Sequence, residues 1–453
     1  MNKPRQLSSL ISGVAQQSET ELSVLNPFSN SVVATIQQLT SSELLNIEVL
    51  SKISDERIHQ LFGQLATWLR NSQIELSQIA AAETGSPVSY QSKDIDAVIE
   101  FLSESSSYIK NRQKKFAWQP KGRLALFLSA NEPIILGVLP VLSGLLAGNQ
   151  VWVKPSSKTP SIPYLIVSQL LQMGFPKDRL HLLFPTRELT KQLLSEGFFN
   201  TVLSFGNFST NCALAAMAVS AGTEFIGENE GNDWVYIDSS YADSLSDLSN
   251  ILYRSFTKHN GQLCDGVRGI LVDQSIYPTI VSELKKIVSK TKPSDPQKIA
   301  TQVGALLTGS AETISSMIEK VRPDSKEIFN FTRSDNRVSP TIVVEPNETA
   351  DIITTGLFGP VVWIRPVNSV GDAIKLHKKY NPYGLGFSIF SNNSATIDQL
   401  TSELTVSRIN INVDPVEISI FSPWGGVAKS GHGGPLSWLE KLSNRKLINN
   451  GQY

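Results

Sequence analysis

Hydrophobic periodicity divides the chain into three textures. From about Ile53 to Lys110 apolar residues recur at three- and four-residue spacing, as in "IHQLFGQLATWLRNSQIELSQIAAAE", which predicts long amphipathic helices. After "KNRQKKFAWQPKG" the period shortens. The runs "RLALFLS" (Arg123 to Ser129), "QVWV" (Gln150 to Val153), "LHLLF" (Leu180 to Phe184) and "TVLSF" (Thr201 to Phe205) are brief and apolar, and helix-like segments separate them. This is the rhythm of a parallel sheet covered on both faces. A second block repeats it with "DWVYID", a helix from about Ser244 to Phe256, "RGILVD", a helix through "YPTIVSELKKIVSK", and then "PTIVVE", "VVWIRPV" and "SRININV". The expected fold class is α/β, with two linked parallel-sheet domains.

The totals narrow the choice of partners. A chain of 453 residues suggests two or three compact units. With 40 Lys plus Arg against 41 Asp plus Glu, no global basic field exists to recruit nucleic acid or an anionic membrane. The most apolar stretch, "IILGVLPVLSGLLA" from Ile134 to Ala147, is shorter than a membrane span and contains Pro140, so it reads as a buried core helix. The N-terminus lacks the apolar core of a secretion signal. Two cysteines without CxxC or Cys/His clustering predict neither a disulfide framework nor a metal site, and point to a reducing, cytoplasmic setting. The lysine-, serine- and proline-rich segment Ser289 to Gln302 reads as a surface loop.

Ligands of α/β folds sit at the carboxyl ends of strands, so polar residues there were weighed first. In "LSANEP", the Asn131 amide is placed either to donate to a developing oxyanion or to cap the following helix. Lys154, after "VWV", suits a ribose hydroxyl or a phosphate, or is simply solvated. Gly206 lies in the strand-turn-helix "SFGNFSTNCALAAMA", whose backbone N–H groups can receive a pyrophosphate, although the motif is not GxGxxG. In "FIGENEGND", Glu228 is a candidate general base or a solvated turn glutamate. Cys264, in "HNGQLCDGVRG", is a nucleophile or a small buried hydrophobe; Cys212, in the apolar "CALAAMAV", reads as the second kind.

In order, these pieces resemble the aldehyde dehydrogenase superfamily from about Asn26 to the C-terminus. The landmarks are "NPFSNSVVATI", "ETGSP", "PKG", "NEP", "GNQVWVKPSSKTP", "MGFP", "ENEGND", "GQLCDGVRG", "PTIVVEP", "LFGPVV", "NPYGLGFSIFS" and "PWGGVAKSGHGG". The resemblance implies two Rossmann-type domains plus a short oligomerisation element: residues 1–229 for the cofactor, with a helical N-terminal part, 230–435 for catalysis, and 436–453 as an oligomerisation tail. It also implies that Cys264 is the attacking thiolate, that Glu228 is the general base, and that Asn131 and the Cys264 N–H form the oxyanion hole. Lys154 is then expected against the adenosine ribose and Phe358 beside the nicotinamide. The implied partners are NADP or NAD, an aldehyde or acyl-thioester, and a second copy of the chain as a homodimer, with a tetramer as the alternative.

Four departures from the family pattern carry physical content. Ser157 followed by Lys158 replaces the glutamate usual in NAD-preferring members; a hydroxyl and an ammonium attract a 2′-phosphate that a carboxylate repels, so NADP is the expected cofactor. Gly356, in "GLFGP", stands where a carboxylate normally holds the nicotinamide ribose. Glu230 occupies a glycine position, and Glu132 replaces an aromatic residue beside the cleft, where it is expected to favour a cationic substrate or raise the thiol pKa unless it turns to solvent. The leading function is oxidation of an aldehyde to a carboxylic acid through a cysteine thiohemiacetal and thioester. The alternatives are an acyl-CoA or acyl-carrier-protein thioester reductase using the same cysteine, and a catalytically silent binding protein.

Overall fold

The computed structural model describes residues 3–43, 45–49, 51–110 and 116–447. The helical lead-in forms α1 (Asp55–Thr84) and α2 (Val88–Lys110). Ser54 caps α1 by accepting the Arg57 N–H at 3.2 Å, and Gly85 ends it at φ 70°, its N–H donating to Ala81 O. A Cβ at position 85 would lie 2.2 Å from the Ala305 carbonyl oxygen, so this turn is both left-handed and pressed against the second half of the chain.

Ahead of the helices, β1 (Arg5–Ile11), β2 (Val14–Gln16), β3 (Glu21–Leu25) and β4 (Val32–Gln37) extend the first sheet at one edge. After them come β5 (Phe116–Pro120), β6 (Arg123–Phe127), β7 (Gln150–Lys154), β8 (Leu180–Leu182), β9 (Thr201–Phe205) and β10 (Glu224–Glu228). The sheet runs β10-β9-β6-β7-β8-β1-β4-β3, and its five strands from β10 to β8 are mutually parallel. Right-handed crossovers of this kind need covering helices. These are α3 (Ile135–Leu146), α4 (Ser161–Gln172), α5 (Arg187–Ser195) and α6 (Phe208–Ser220). Within one fully apolar strand the two faces still separate: Leu124 and Leu126 join the core under α1 to α4, while Ala125 and Phe127 join Trp152 and Leu193 on the other side.

The second sheet has seven strands, in the order Ser325–Phe329, Thr341–Pro346, Val361–Val367, β12 (Val267–Asp273), β11 (Asp233–Ile237), Gly386–Phe390 and Arg408–Ile411. All neighbours are parallel except the first pair. Helices α7 (Leu245–Thr257) and α8 (Tyr277–Val288) cover one face. The sequence-predicted strands and helices of both blocks therefore appear where the apolar runs placed them, and residues 289–302 carry neither helix nor strand. The N-terminal strands lacked a periodic signal strong enough to assign.

Near the C-terminus the strand Ser443–Leu447 pairs antiparallel with β5, forming a small separate sheet. The short helix before it, Trp438–Lys441, sends Trp438, Leu439 and Leu442 into the core of the first domain. Among the described residues, no helix is long and apolar enough to cross a membrane.

Glu83, at the end of α1, is fully buried and accepts both the N–H (3.1 Å) and the hydroxyl of Ser161 at the start of α4. Burial pushes its carboxyl up to about 7, above the ordinary value of 4.5, against the opposing effect of those hydrogen bonds. The unfolded chain thus releases this proton first, and stability falls as pH rises through that interval. Glu83→Gln removes the titration while keeping the shape. Denaturant titrations are expected to show wild type losing up to about 3 kcal/mol between pH ~5 and ~8 from this group, and the variant a flatter profile; equal pH slopes would refute the assignment.

Candidate active site

Cys264 sits on a loop that is held from four directions. Just upstream, His259 (φ 50°), Asn260 (φ 60°) and Gly261 (φ 69°) are three consecutive left-handed residues, a costly run for the two that are not glycine. Side-chain hydrogen bonds hold it. Asn260 Nδ2 donates to Gly85 O (2.8 Å) and Ala305 O (2.7 Å), and its Oδ1 accepts the Gly304 N–H at 2.7 Å. His259 Nδ1 lies 2.9 Å from Ser86 Oγ, and its Nε2 lies 3.5 Å from Asp94. Gly261 has no room for a Cβ, which would approach Gly359 O to 2.2 Å. Downstream, the buried Arg268 donates to Leu263 O (2.7 Å) and Gly359 O (3.3 Å), with its guanidinium 5.6 Å from the centre of the Phe358 ring.

Asn131 meets this loop directly. Its Nδ2 donates to Gln262 O at 2.9 Å, and the residue at the N-cap of α3 is Ile134, without a side-chain cap bond. The helix-cap reading of Asn131 is thereby overturned: it lies three positions before the cap, and its amide is used on the loop that carries Cys264. Cys264 is half-buried beside it. Burial and the Asp265, Glu132 and Asp233 carboxylates push the thiol well above its usual range, against the pull of Arg408.

Glu228, at the end of β10, is buried and ion-paired with Lys441, and it accepts the Gly426 N–H at 3.3 Å. Burial raises its pKa, although Lys441 opposes the shift. Lys441 is itself 4% exposed, with its ammonium 4.2 Å from the Trp424 ring centre. No hydrogen bond joins Glu228 to Cys264 among the described residues. Both nevertheless line one cavity of about 590 Å³, together with Asn131, Gly206, Phe358 and Glu132.

The strand-turn-helix at Gly206 tests whether a dinucleotide fits. Asn207 caps α6 by accepting the Thr210 N–H, and the Glu230 carboxylate accepts the Phe208 N–H at 2.8 Å while lying 3.4 Å from the Tyr383 hydroxyl. Position 356 has no space for any side chain, because a Cβ there would lie 2.2 Å from Gly231 O; the nearest side-chain atom is Glu230 Cγ, at 3.4 Å. The Glu230 side chain therefore passes beside Gly356, with its carboxylate engaged at the start of α6 and near Tyr383. Lys154 ends β7 with its ammonium 5.3 Å from the Phe127 ring centre and no ion pair among the described residues; burial lowers its pKa. An unpaired ammonium, an open glycine turn and the Phe358 ring fit a dinucleotide, provided the Glu230 carboxylate shares the start of α6 with its phosphates. Ser157 and Lys158 are exposed and lie outside the cavity walls, and Lys158 Nζ donates to Thr308 O at 2.8 Å.

Residues 14–447 match the sequence model of the aldehyde dehydrogenase family. The chain belongs to that family. Curated relatives include sulfoacetaldehyde dehydrogenase of Neptuniibacter caesariensis, 24% identical over 91% of this chain and 95% of that protein. Another is 3-sulfolactaldehyde dehydrogenase of Priestia aryabhattai, 24% identical over 99% and 98%. Among solved structures, lactaldehyde dehydrogenase from Escherichia coli superimposes with a TM-score of 0.91 at 18% identity, over 98% of this chain and 99% of that one. Aldehyde dehydrogenase 21 from Physcomitrella patens, in complex with the reaction product succinate, gives 0.91 at 18% over the whole of both chains. Family membership makes the chain an oxidoreductase acting on aldehydes.

Within this family frame the structure brings together Cys264, Asn131, Glu228, Gly206 and Phe358, and leaves Lys154, Ser157 and Lys158 apart from the cavity. Lys441 escaped the sequence reading, and so did the packing role of Arg268. Lys441 had only the capping box of Ser437 and Glu440 to mark its helix, and nothing to link it to Glu228. Arg268 was legible as part of the cysteine motif but not as the clamp of the loop. Cys212 corrects the reading of it as buried: α6 packs by few residues, and this thiol is exposed. In a Cys212→Ser background, alkylation of Cys264 by iodoacetamide is expected to be slow near pH ~7 and to rise about tenfold per pH unit into the alkaline range. A rate that levels off below pH ~8 would contradict the charge environment described.

Proposed function

We propose that this aldehyde dehydrogenase oxidises an aldehyde to a carboxylic acid with a nicotinamide dinucleotide, through a covalent adduct on Cys264. The observation that carries this reading is the convergence of Cys264, Asn131 and Glu228 on one cavity. Deprotonated Cys264 Sγ adds to the carbonyl carbon, and the carbonyl π pair moves to oxygen. Asn131, one N–H of which is already held by Gln262 O, has its second N–H for that oxyanion, beside the backbone N–H of Cys264. The dinucleotide, when bound, supplies the acceptor for the hydride leaving this carbon. Gly206, Phe358, Lys154, Ser157 and Lys158 would hold it, with Glu230 in place of the carboxylate absent from position 356. The resulting thioester is discharged by water: the water oxygen forms the new bond to carbon, Glu228 takes its proton, and the C–S bond breaks with its electron pair returning to sulfur as the Cys264 thiolate.

The pairing of Glu228 with Lys441 favours a second reading, in which a thiol of CoA or a carrier protein exchanges with the same thioester and water activation is not needed. Formation of reduced dinucleotide from an aldehyde panel, with and without CoA, separates the two. Acid formed without CoA supports oxidation, CoA-dependent turnover supports the thioester route, and an inert wild type overturns both. Cys264→Ser is expected to abolish either activity, and Asn131→Ala to lower kcat by about a hundredfold or more.

We further propose NADP as the preferred dinucleotide, from the exposed Ser157 hydroxyl and Lys158 ammonium. Ser157→Glu is expected to shift the NADP-to-NAD ratio of Kd values by about tenfold towards NAD, since a carboxylate repels a 2′-phosphate. An unchanged ratio in binding titrations would refute the charge argument.

A further inference from the structure

Most carboxylates lining the cavity stand beside a cation or an N–H group, and Lys93, in the same lining, has no ion pair among the described residues. Asp94 lies against His259 at 3.5 Å, Asp265 against Arg408 at 3.3 Å, and Glu417 against Lys258 at 3.2 Å. Glu228 has Lys441, and Glu230 has the start of α6. Glu132 lines the same cavity, yet among the described residues no hydrogen bond or ion pair engages its carboxyl group. It directly follows Asn131 in the chain, shares the cavity with Cys264 and is near enough to raise the pKa of that thiol. The wall beyond it is apolar, formed by Ile135, Leu136 and Leu139. A lone carboxyl in such a wall is destabilised until something pairs with it.

We propose that Glu132 selects aldehydes carrying an ammonium group a few bonds from the carbonyl. The ammonium pairs with the carboxylate, which no described residue does through an ion pair, and Tyr90, also in the lining, adds an aromatic face that attracts a cation. Carboxylate- or sulfonate-bearing substrates gain no such pairing. Burial holds the free Glu132 carboxyl up at about 8, with Asp94 and Asp265 adding to the rise and His259 and Lys258 opposing it, as expected of a group awaiting its counter-charge. The bound ammonium also offsets one of the negative groups that hold the Cys264 thiol protonated, so substrate binding and thiol ionisation reinforce each other.

The inference rests on Cys264 as the attacking residue, and its test is built to fail separately from that reading. In Cys212→Ser protein, propylammonium, propanol and propionate are compared as shields of Cys264 against iodoacetamide, and β-aminopropionaldehyde is compared with butyraldehyde as substrate. Propylammonium is expected to shield at about tenfold lower concentration than propanol, propionate least of all, and kcat/KM to favour the amino aldehyde by a similar factor. Glu132→Gln is expected to bring both ratios within about twofold of one; should that variant not fold, the wild-type ligand series decides alone. Equal shielding, stronger shielding by propionate, or a ratio unchanged in Glu132→Gln would overturn the role of Glu132 even if butyraldehyde is oxidised. Ammonium-selective shielding without turnover of either aldehyde would instead keep Glu132 and overturn the oxidation.

Discussion

Three successive left-handed residues, His259 to Gly261, are the constraint on which the rest of the site depends. Backbone of this kind does not persist unless its surroundings over-determine it. Here the surroundings come from both domains: the Gly85 turn and Ser86 from the first, and Ala305, Gly304 and Gly359 from the second. The nucleophile candidate therefore sits beside a turn held by stretches of chain that are distant in sequence. Arg268 completes the arrangement from below, spending a buried guanidinium on two loop carbonyls.

The electrostatics of the cavity follow from that packing. Carboxylates gathered in a poorly solvated space raise one another and the thiol unless each finds a cation. Most do, through residues distant in sequence: Asp265 with Arg408, Glu417 with Lys258, Glu228 with Lys441. What is left over is a thiol whose pKa is pushed up and a Glu132 carboxyl without an ion pair among the described residues.

The exchange between positions 230 and 356 shows how a family frame tolerates a lost functional group. Gly356 is held against Gly231 O so closely that no side chain can be present, and the Glu230 side chain passes beside it on the way to the first turn of α6, where its carboxylate accepts the Phe208 N–H. The pair reads as two unrelated departures along the chain. In space they are one rearrangement, and the first turn of α6 is what accommodates it.

Much of this protein was legible before any coordinates. Apolar runs and their period located most of the parallel strands of both sheets, because burial on two faces leaves a sequence signature that does not depend on topology. Asn131 and Glu228 were marked because they stand at or just after strand ends, where α/β folds open, and the motif "GQLCDGVRG" marked Cys264 on the loop that enters β12. The N-terminal strands, the exposure of Cys212, the duty of Asn131 at Gln262 O, and the pairing of Glu228 with Lys441 were decided by tertiary structure alone. Each of these depends on which distant segment arrives opposite a given side chain, and pairing across such a separation leaves no local periodicity to read. Residue types and their order thus determined what chemistry the chain can carry, and packing determined which charges are answered and which, at Glu132, is left open.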